Sequence, residues 1–214
     1  MLTIGIDESG TGAWAGSYVI SAVAADEELL RASVPELNDS KKLSDKKRRR
    51  LVPLIHEHAF AYVSTEVEVE RITRGHKSSW LWGVSKTLRN ITDKLEQGTE
   101  FRVVVDGTED DRLYSRLRGK YEYLHEHISF RQKADQTHPT VMAASILAKT
   151  FRNDLMIELD AEFPEFLWAK NAGYGTAEHL AACERHGLTA HHRPIRRLEG
   201  FSQYKPATGW WINS

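Results

Sequence analysis

The chain has 214 residues, of which 41% are hydrophobic and 28% are charged, as is typical of a soluble globular protein with one large or two small domains. No apolar run approaches the roughly 18 residues of a membrane-spanning helix, and acids at positions 7 and 8 are not typical of a secretory signal. The single cysteine, Cys183, excludes an internal disulfide framework and a zinc site built from cysteines. We therefore expect a cytoplasmic protein with one domain over 1–214, comprising a core over about 1–198 and a tail over 201–214.

The net charge of −1 hides one concentrated basic segment. Seven residues between Lys41 and Arg50 are basic and one, Asp45, is acidic. Such a segment allows a nearly neutral protein to hold a polyanion on one face. A solvated helix face has the same composition, and the sequence leaves both interpretations open.

The first predicted element is a short buried strand that ends at two carboxylates. Apolar residues alternate over Leu2–Ile6, Asp7 and Glu8 follow directly, and Gly10 and Gly12 supply a turn. Because side chains of a regular strand alternate between faces, we expect the strand to stop at the acids so that both point the same way. Two hard oxygen ligands at a strand end can hold a divalent cation, although an ordinary turn can begin with the same residues.

A second strand is predicted over Ser17–Ala24, directly after the turn. The spacing of Gly10, Gly12 and Gly16 superficially resembles a dinucleotide-binding fingerprint, but that motif leads into a helix and its third glycine comes one residue earlier. We therefore exclude a dinucleotide fold, and the sequence has no P-loop at this turn.

The rest of the chain alternates between helices and strands. In order, the patterns predict a helix over 45–58 after the N-cap Ser44, a strand over 60–69, a helix over 77–95 ended by Gly98, a buried strand over 101–105, a short helix over 110–118, a strand over 126–131, a helix from Pro139 to Leu159 and a last helix over 177–186. Strands that come first in a meander and later alternate with helices indicate an α/β domain with a mixed sheet. The tail, with Trp210 and Trp211, is expected to be loosely docked.

Four carboxylates fall at or just after predicted strand ends: Asp7, Glu8, Asp106 and Asp135. Adjacent parallel strands bring such ends together, at the edge where open α/β sheets bind ligands. The acids would repel one another without a counter-charge, and oxygen ligands favour Mg²⁺ or Mn²⁺ over zinc. Two such ions about 3.5–4 Å apart are a known arrangement for in-line attack on a phosphodiester.

Basic residues are predicted beside these acids. Ser145, Lys149 and Arg152 share one stripe of the helix after Asp135, opposite a stripe predicted to be buried (Val141, Ala144, Ala148, Phe151, Leu155 and Leu159). With Lys41 and Lys42, the basic residues of this stripe are candidates for holding phosphates, a contact that fixes position without reading sequence.

Several segments, in this order, resemble the ribonuclease HII family over roughly residues 3–198. They are Gly5-Ile6-Asp7-Glu8-x-Gly10-x-Gly12, Asp39-Ser40-Lys41-Lys42-Leu43, Val105-Asp106-Gly107, Lys133-Ala134-Asp135, Ala143-Ala144-Ser145-Ile146-Leu147-Ala148-Lys149, Gly173-Tyr174-Gly175-Thr176-x-x-His179 and His192-Arg193. The resemblance implies a ribonuclease H-like fold, a mixed five-stranded sheet flanked by helices with a C-terminal helical segment. It also implies endonucleolytic cleavage of the RNA strand of RNA–DNA hybrids, leaving 5′-phosphate and 3′-hydroxyl ends.

The same resemblance assigns roles to residues. Asp7, Glu8, Asp106 and Asp135 match the four catalytic, metal-binding carboxylates of the family, which implies two Mg²⁺ or Mn²⁺ ions. Gly10, Thr11 and Gly12 match the turn whose backbone contacts ribose 2′-hydroxyls, and Tyr174 matches the tyrosine that stacks on the sugar at an RNA–DNA junction. The other predicted substrate-binding residues are Lys41, Lys42, Ser145, Lys149, Arg152 and Arg193.

Two departures from the family pattern leave the substrate range open. Thr11 stands where the family usually has a basic residue and is similar to ribonuclease HIII, which cuts within ribonucleotide stretches, whereas Gly173–Thr176 is of the HII kind. Asn153 follows Arg152 where the family often has Asp, so no role is transferred to Asp154. We expect a monomer that binds RNA–DNA hybrids and DNA with embedded ribonucleotides; a non-catalytic hybrid-binding module is the alternative, and the four carboxylates argue against it.

Overall fold

The computed structural model describes residues 1–117 and 119–204. Its strands are β1 (Leu2–Ser9), β2 (Tyr18–Ala25), β3 (Ala61–Val67), β4 (Phe101–Asp106) and β5 (Ile128–Arg131). Its α-helices are α1 (Glu27–Ser33), α2 (Asp45–His58), α3 (Val69–Thr73), α4 (His76–Thr92), α5 (Pro139–Glu162), α6 (Trp168–Asn171) and α7 (Ala177–His186). Short 3-10 helices follow β4, β5 and several loops, including Ser40–Lys42 and Ala134–Gln136.

The five strands form one mixed sheet in the order β3-β2-β1-β4-β5. The β1–β2 and β2–β3 pairs are antiparallel, and the β1–β4 and β4–β5 pairs are parallel. This confirms the predicted α/β class and the division of the sheet into an antiparallel and a parallel side. The parallel register pairs Ile6 with Val105, so the next residues, Asp7 and Asp106, lie side by side.

The expectation that β1 stops at the acids was wrong. β1 continues to Ser9, and Asp7 and Glu8 both pair with β2, opposite Ser21 and Ile20. Two neighbouring residues of a continuous strand face opposite sides of the sheet. The two acids therefore reach the site from different faces.

Helices cover both faces of the sheet. On one face, Ile4 and Ile6 pack in a core with Leu81 and Val84 of α4. On the other, α5 crosses β1 so closely that a Cβ at Gly5 would lie 2.3 Å from the backbone of Thr140. Burial of these apolar residues supplies most of the driving force that fixes the helices on the sheet.

The predicted inward stripe of α5 is wrong in its second half. Phe151 is exposed, whereas Arg152 and Met156 are buried. The first half of α5 lies on β1 and β2, but its second half contacts α6 and a separate apolar cluster that includes Met156, Phe166 and Trp168. The buried side of the helix turns with this change of neighbour.

The C-terminal region is tied to the β1–β2 turn. Ala15 pairs with His192 in an isolated antiparallel bridge, and the backbone N–H of Trp14 donates to Gly173 O at 2.8 Å. In the predicted tail, Gln203 pairs with Leu188, which lies just after α7; Trp210 and Trp211 lie outside the described residues. Of the helices in the described ranges, none is long and apolar enough to cross a membrane.

Candidate active site

Three of the four predicted carboxylates converge at one edge of the sheet. Asp7, Asp106 and Asp135 each offer a carboxylate oxygen, and these oxygens lie within 4.8 Å of one another. Asp7 and Asp106 come from the adjacent parallel strands β1 and β4, and Asp135 comes from the short 3-10 helix after β5. Asp7 is 5% exposed and Asp135 is 2% exposed, so little water solvates their charges.

The fourth carboxylate, Glu8, approaches from the α4 side of the sheet. Its Oε2 accepts a hydrogen bond of 3.3 Å from the indole N–H of Trp80. The sequence alone did not reveal this contact, because no local motif links α4 to the end of β1. A tryptophan N–H that donates to a candidate ligand carboxylate fixes the orientation of that side chain.

The cluster carries strong charge repulsion. Burial, followed by the neighbouring charge of Glu8, raises the pKa of Asp7 from 3.8 to about 8. Burial also raises the pKa values of Glu8 and Asp106, and neighbouring carboxylates act in the same direction. Lys41 offsets part of this charge, with its Nζ 3.4 Å from Asp135 Oδ2.

The donor set fits a divalent cation that prefers oxygen. All of the converging ligand atoms are carboxylate oxygens, and Mg²⁺ and Mn²⁺ favour such ligands. A cation between them would remove the repulsion that raises the pKa of Asp7. Asp7, Asp106 and Asp135 would hold it, with Glu8 beside them.

Asp7, Glu8 and Asp106 line a cleft of about 340 Å³ that contains most of the predicted substrate-binding residues, whereas Asp135 lies behind them and is absent from its lining. Its lining includes Gly10, Thr11, Lys41, Ser145, Lys149, Arg152 and Tyr174. Ser145 Oγ lies 2.8 Å from Ser40 Oγ. Ser145 also forms a side-chain hydrogen bond with Asp7, and this bond acts to lower the pKa of Asp7. Lys42 is exposed and does not line this cleft, and Gly12 and Arg193 are also absent from its lining.

Most of the basic segment on α2 is neutralised locally. Lys47 and Arg50 pair with Glu36, and Arg49 pairs with both Asp45 and Asp154. Arg48 is buried and donates to backbone carbonyls of the preceding loop. The helix itself is therefore a largely paired surface, and the cations that line the cleft are Lys41, before the helix, and Lys149 and Arg152 on α5.

Two buried arginines hold the glycine turn. Arg193 Nε donates to Gly16 O at 2.8 Å, and its Nη1 donates to Gly10 O at 2.8 Å and to Thr11 O at 3.0 Å. Arg152, 1% exposed, lies against Gly10 and donates to Ser17 O at 3.2 Å. Gly10 has φ +94°, and a Cβ there would collide with the Arg152 side chain, so the turn requires glycine.

Tyr174 stands at the end of the same cleft. Its ring is 43% exposed and lies 5.4 Å from the guanidinium carbon of Arg152. The flanking glycines allow close packing: a Cβ at Gly173 would meet Ala15 O at 2.5 Å, and one at Gly175 would meet the Trp14 ring at 2.0 Å. The tyrosine is therefore presented on a tightly packed backbone, joined to the glycine turn through Arg152.

Comparison with known proteins agrees with this geometry. A family model described as Ribonuclease HII matches residues 4–200. The chain belongs to the ribonuclease HII family. It is 36% identical to ribonuclease HII of Rickettsia felis over 197 residues, covering 90% of this chain and 89% of that protein. It is 35% identical to ribonuclease HII of Francisella philomiragia over 202 residues, covering 92% of this chain and all of the relative.

Solved structures confirm the ribonuclease H-like fold. A ribonuclease HII from Archaeoglobus fulgidus, solved in a complex with PCNA, has a TM-score of 0.73 at 23% identity and covers 97% of this chain and 98% of its own. A Bst ribonuclease HIII in complex with Mn²⁺ has a TM-score of 0.74 at 22% identity, and the match covers 86% of this chain and 61% of that protein. As a ribonuclease HII family member, the chain is a metal-dependent endoribonuclease that acts on RNA–DNA hybrids.

Proposed function

We propose that this ribonuclease incises the RNA-containing strand of a duplex at isolated ribonucleotides as well as within ribonucleotide stretches, cutting on the 5′ side of a single embedded ribonucleotide. The observation that carries the proposal is the grouping of three elements around one cleft. Three of the carboxylates (Asp7, Glu8 and Asp106), the turn at Gly10 and Thr11, and Tyr174 all line it. In such a cleft, the turn can contact the 2′-hydroxyl of one sugar and Tyr174 can contact the neighbouring sugar, while the phosphodiester between them lies at the acids.

Asp7, Glu8, Asp106 and Asp135 are assigned as the catalytic carboxylates that hold two Mg²⁺ or Mn²⁺ ions. When bound, such ions activate the attacking water and stabilise the leaving 3′-oxygen. The raised pKa of Asp7 and the oxygen-only ligand set support this assignment. Lys41 and Lys149 line the cleft beside the acids, where their charges favour the phosphates of the substrate.

The glycine turn is assigned as the site that tests for a 2′-hydroxyl. A 2′-hydroxyl both donates and accepts hydrogen bonds, and backbone groups of an exposed turn can distinguish RNA from DNA through it. Arg193 holds the carbonyls of Gly10 and Thr11 from behind, and Gly12 is exposed. Arg152 and Arg193 are buried and hold the turn in place through these contacts, which supports the assignment.

We further propose that the enzyme acts as a monomer. We also propose that it works in the cytoplasm on RNA–DNA hybrids and on DNA with embedded ribonucleotides. Sedimentation of the purified protein, alone and with duplex, tests the oligomeric state.

Restriction to ribonucleotide stretches is the second candidate, favoured by Thr11. Without a basic side chain at this position, the turn has less charge with which to hold an isolated ribonucleotide. The exposed ring of Tyr174 in the same cleft favours the broader range.

The test uses three labelled duplexes that differ in one strand only: all DNA, one ribonucleotide in DNA, and a run of four ribonucleotides. With Mg²⁺ or Mn²⁺, we expect incision of the second and third duplexes and none of the first. The upstream product should be extended by a DNA polymerase because it carries a 3′-hydroxyl. Incision of the four-ribonucleotide duplex alone would establish the restricted range.

An Asp106→Asn variant separates catalysis from binding. It should lose cleavage while retaining binding to the hybrid in a gel-shift assay, because the amide keeps the shape of the side chain but removes a charged oxygen ligand. Tight hybrid binding by the wild-type protein with no cleavage in either metal would instead support the non-catalytic binding module.

A further inference from the structure

A closed cluster of polar side chains lies directly behind Tyr174. His179 and Cys183 on α7 and His192 in the following loop are 0%, 1% and 7% exposed. One nitrogen or sulfur of each lies within 4.8 Å of the others. The single cysteine excluded a zinc site built from cysteines, and no pattern in the sequence assigned this group a function.

The hydrogen-bond partners fix the tautomer of each imidazole. His179 Nδ1 lies 2.9 Å from Tyr174 O, and since a carbonyl can only accept, this nitrogen carries the proton. The backbone N–H of Thr189 donates to His192 Nδ1 at 3.0 Å, so the proton of neutral His192 is on Nε2. That proton faces two acceptors, His179 Nε2 at 3.2 Å and Cys183 Sγ at 3.4 Å.

These contacts form a continuous chain with one direction. Donation runs from Thr189 N–H to His192, from His192 to His179, and from His179 to Tyr174 O. The indole N–H of Trp168 also donates to His179 Nε2, at 3.1 Å. The single lone pair of His179 Nε2 is shared by these two N–H groups, so the proton of His179 stays on Nδ1, where it reaches the carbonyl of Tyr174.

The same contacts argue against a metal ion as occupant. A metal on His179 Nε2 would displace the N–H groups of Trp168 and His192, and a buried donor without an acceptor costs stability. With both rings neutral, these N–H groups already have acceptors in the cluster. Burial lowers the pKa values of both histidines, which keeps them neutral.

We propose that His179 is a positioning residue for Tyr174, and that His192 and Trp168 set the tautomer in which it acts. The inference rests on the proposed role of Tyr174 at isolated ribonucleotides. By donating to the Tyr174 carbonyl, His179 fixes the backbone that presents the exposed ring to the cleft. His192 is followed by Arg193, which holds the glycine turn, so one short segment supports both parts of the sugar-recognition surface.

The test compares two variants of nearly equal shape, His179→Asn and His179→Leu. Both remove the acceptor for Trp168 and His192, but the Asn amide can still donate to Tyr174 O. The kcat/KM ratio of the one-ribonucleotide duplex to the four-ribonucleotide duplex is measured for each. We expect His179→Leu to lower this ratio about tenfold and His179→Asn to keep it near the wild-type value, because misplacement of a contact beyond the scissile step costs alignment.

Cys183→Ser is the matched control, since Cys183 Sγ lies 3.4 Å from His192 Nε2, the serine hydroxyl keeps an acceptor there, and the ratio should be unchanged. Equal losses on both duplexes in His179→Leu, or no difference between Leu and Asn, would overturn the proposal. These ratios separate a positioning role from general destabilisation, which lowers both activities together.

A second measurement does not depend on nuclease activity. In wild-type protein labelled with ¹⁵N, imidazole spectra at pH 7 should show His179 protonated on Nδ1 and His192 on Nε2, with no bound zinc by elemental analysis. The opposite tautomers, or stoichiometric zinc, would overturn the proposal. If these spectra are as expected and wild type incises neither ribonucleotide duplex, the proposed function fails while the hydrogen-bond chain stands.

Discussion

Replacing Asp7 with Asn should stabilise the metal-free protein while it abolishes cleavage. Asp7 is buried beside Asp106 and Asp135. Burial and the charge of Glu8 raise the pKa of Asp7 from 3.8 to about 8 in the folded protein. Without a cation, the folded state therefore retains a proton that the unfolded chain has released at neutral pH.

The size of the effect follows from proton linkage. The contribution of Asp7 to stability is fully present below pH 3.8 and is lost as the pH rises towards 8. At pH 7 the difference of about 3 pH units from the unfolded value corresponds to about 4 kcal/mol. Relaxation around the site and water entry reduce this upper limit, and we expect the uncharged Asn to recover about 2 kcal/mol, or about 4–8 °C in Tm.

The assay is thermal unfolding of both proteins in EDTA at pH 5, 7 and 8. Asp7→Asn should exceed wild type most at pH 8, and the difference should narrow at pH 5. Addition of Mn²⁺ should raise the Tm of wild type more than that of the variant, since a ligand stabilises the state that binds it. The control is Asp154→Asn, which removes an exposed carboxylate paired with Arg49 and should leave Tm nearly unchanged. A lower Tm for Asp7→Asn in EDTA at pH 8 would refute the reasoning.

Three further predictions concern groups around the cleft. Arg193→Met should lower the free energy of unfolding by about 3 kcal/mol, measured in urea, because it leaves buried carbonyls of the turn unsatisfied; an unchanged midpoint would contradict the bracing role. Trp80→Phe should raise the Mn²⁺ concentration for half-maximal activity about tenfold, because Glu8 loses the donor that orients it; an identical titration curve would show that the contact is dispensable. The contribution of His192 to stability should fall below pH 6.5, by about 2 kcal/mol at pH 5, because burial lowers the pKa of His192 from 6.5 to about 3 and the unfolded chain takes up the proton first. This loss is opposite in sign to the gain from metal-free Asp7, so it is measured by urea unfolding of wild type and His192→Phe at pH 5 and 7, where the free-energy difference between the two proteins should change by about 2 kcal/mol.

The acids on the parallel side of the sheet were predictable because their positions depend on local patterns. Each of the runs before Asp7 and Asp106 is a short apolar strand, and parallel strands must align their carboxyl ends. The predicted reason why Glu8 reaches the site was wrong. Instead of ending early, the strand continues to Ser9, and Glu8 projects to the face covered by α4.

Contacts between distant segments could not be read from periodicity. Arg152 belongs to a polar stripe of α5 in sequence, yet it is buried because the β1–β2 turn and Tyr174 cover it. Its charge is offset by backbone carbonyls, and a helical pattern contains no information about such partners. Trp80 was missed for the same reason, since its polar partner lies 72 residues away in the chain.

Different parts of the fold hold the proposed metal ligands and the proposed sugar-recognition surface. The sheet sets the carboxylates, because Asp7 and Asp106 are fixed by the register of β1 and β4. The C-terminal segment sets the recognition surface, because the adjacent residues His192 and Arg193 reach the histidine cluster and the glycine turn respectively. A change in the turn can therefore alter the preference between an isolated ribonucleotide and a ribonucleotide stretch without moving the carboxylate oxygens. Thr11 lies on the recognition side of this division, so we expect Thr11→Arg to change the preference between one ribonucleotide and a stretch while the Mn²⁺ dependence of cleavage stays the same.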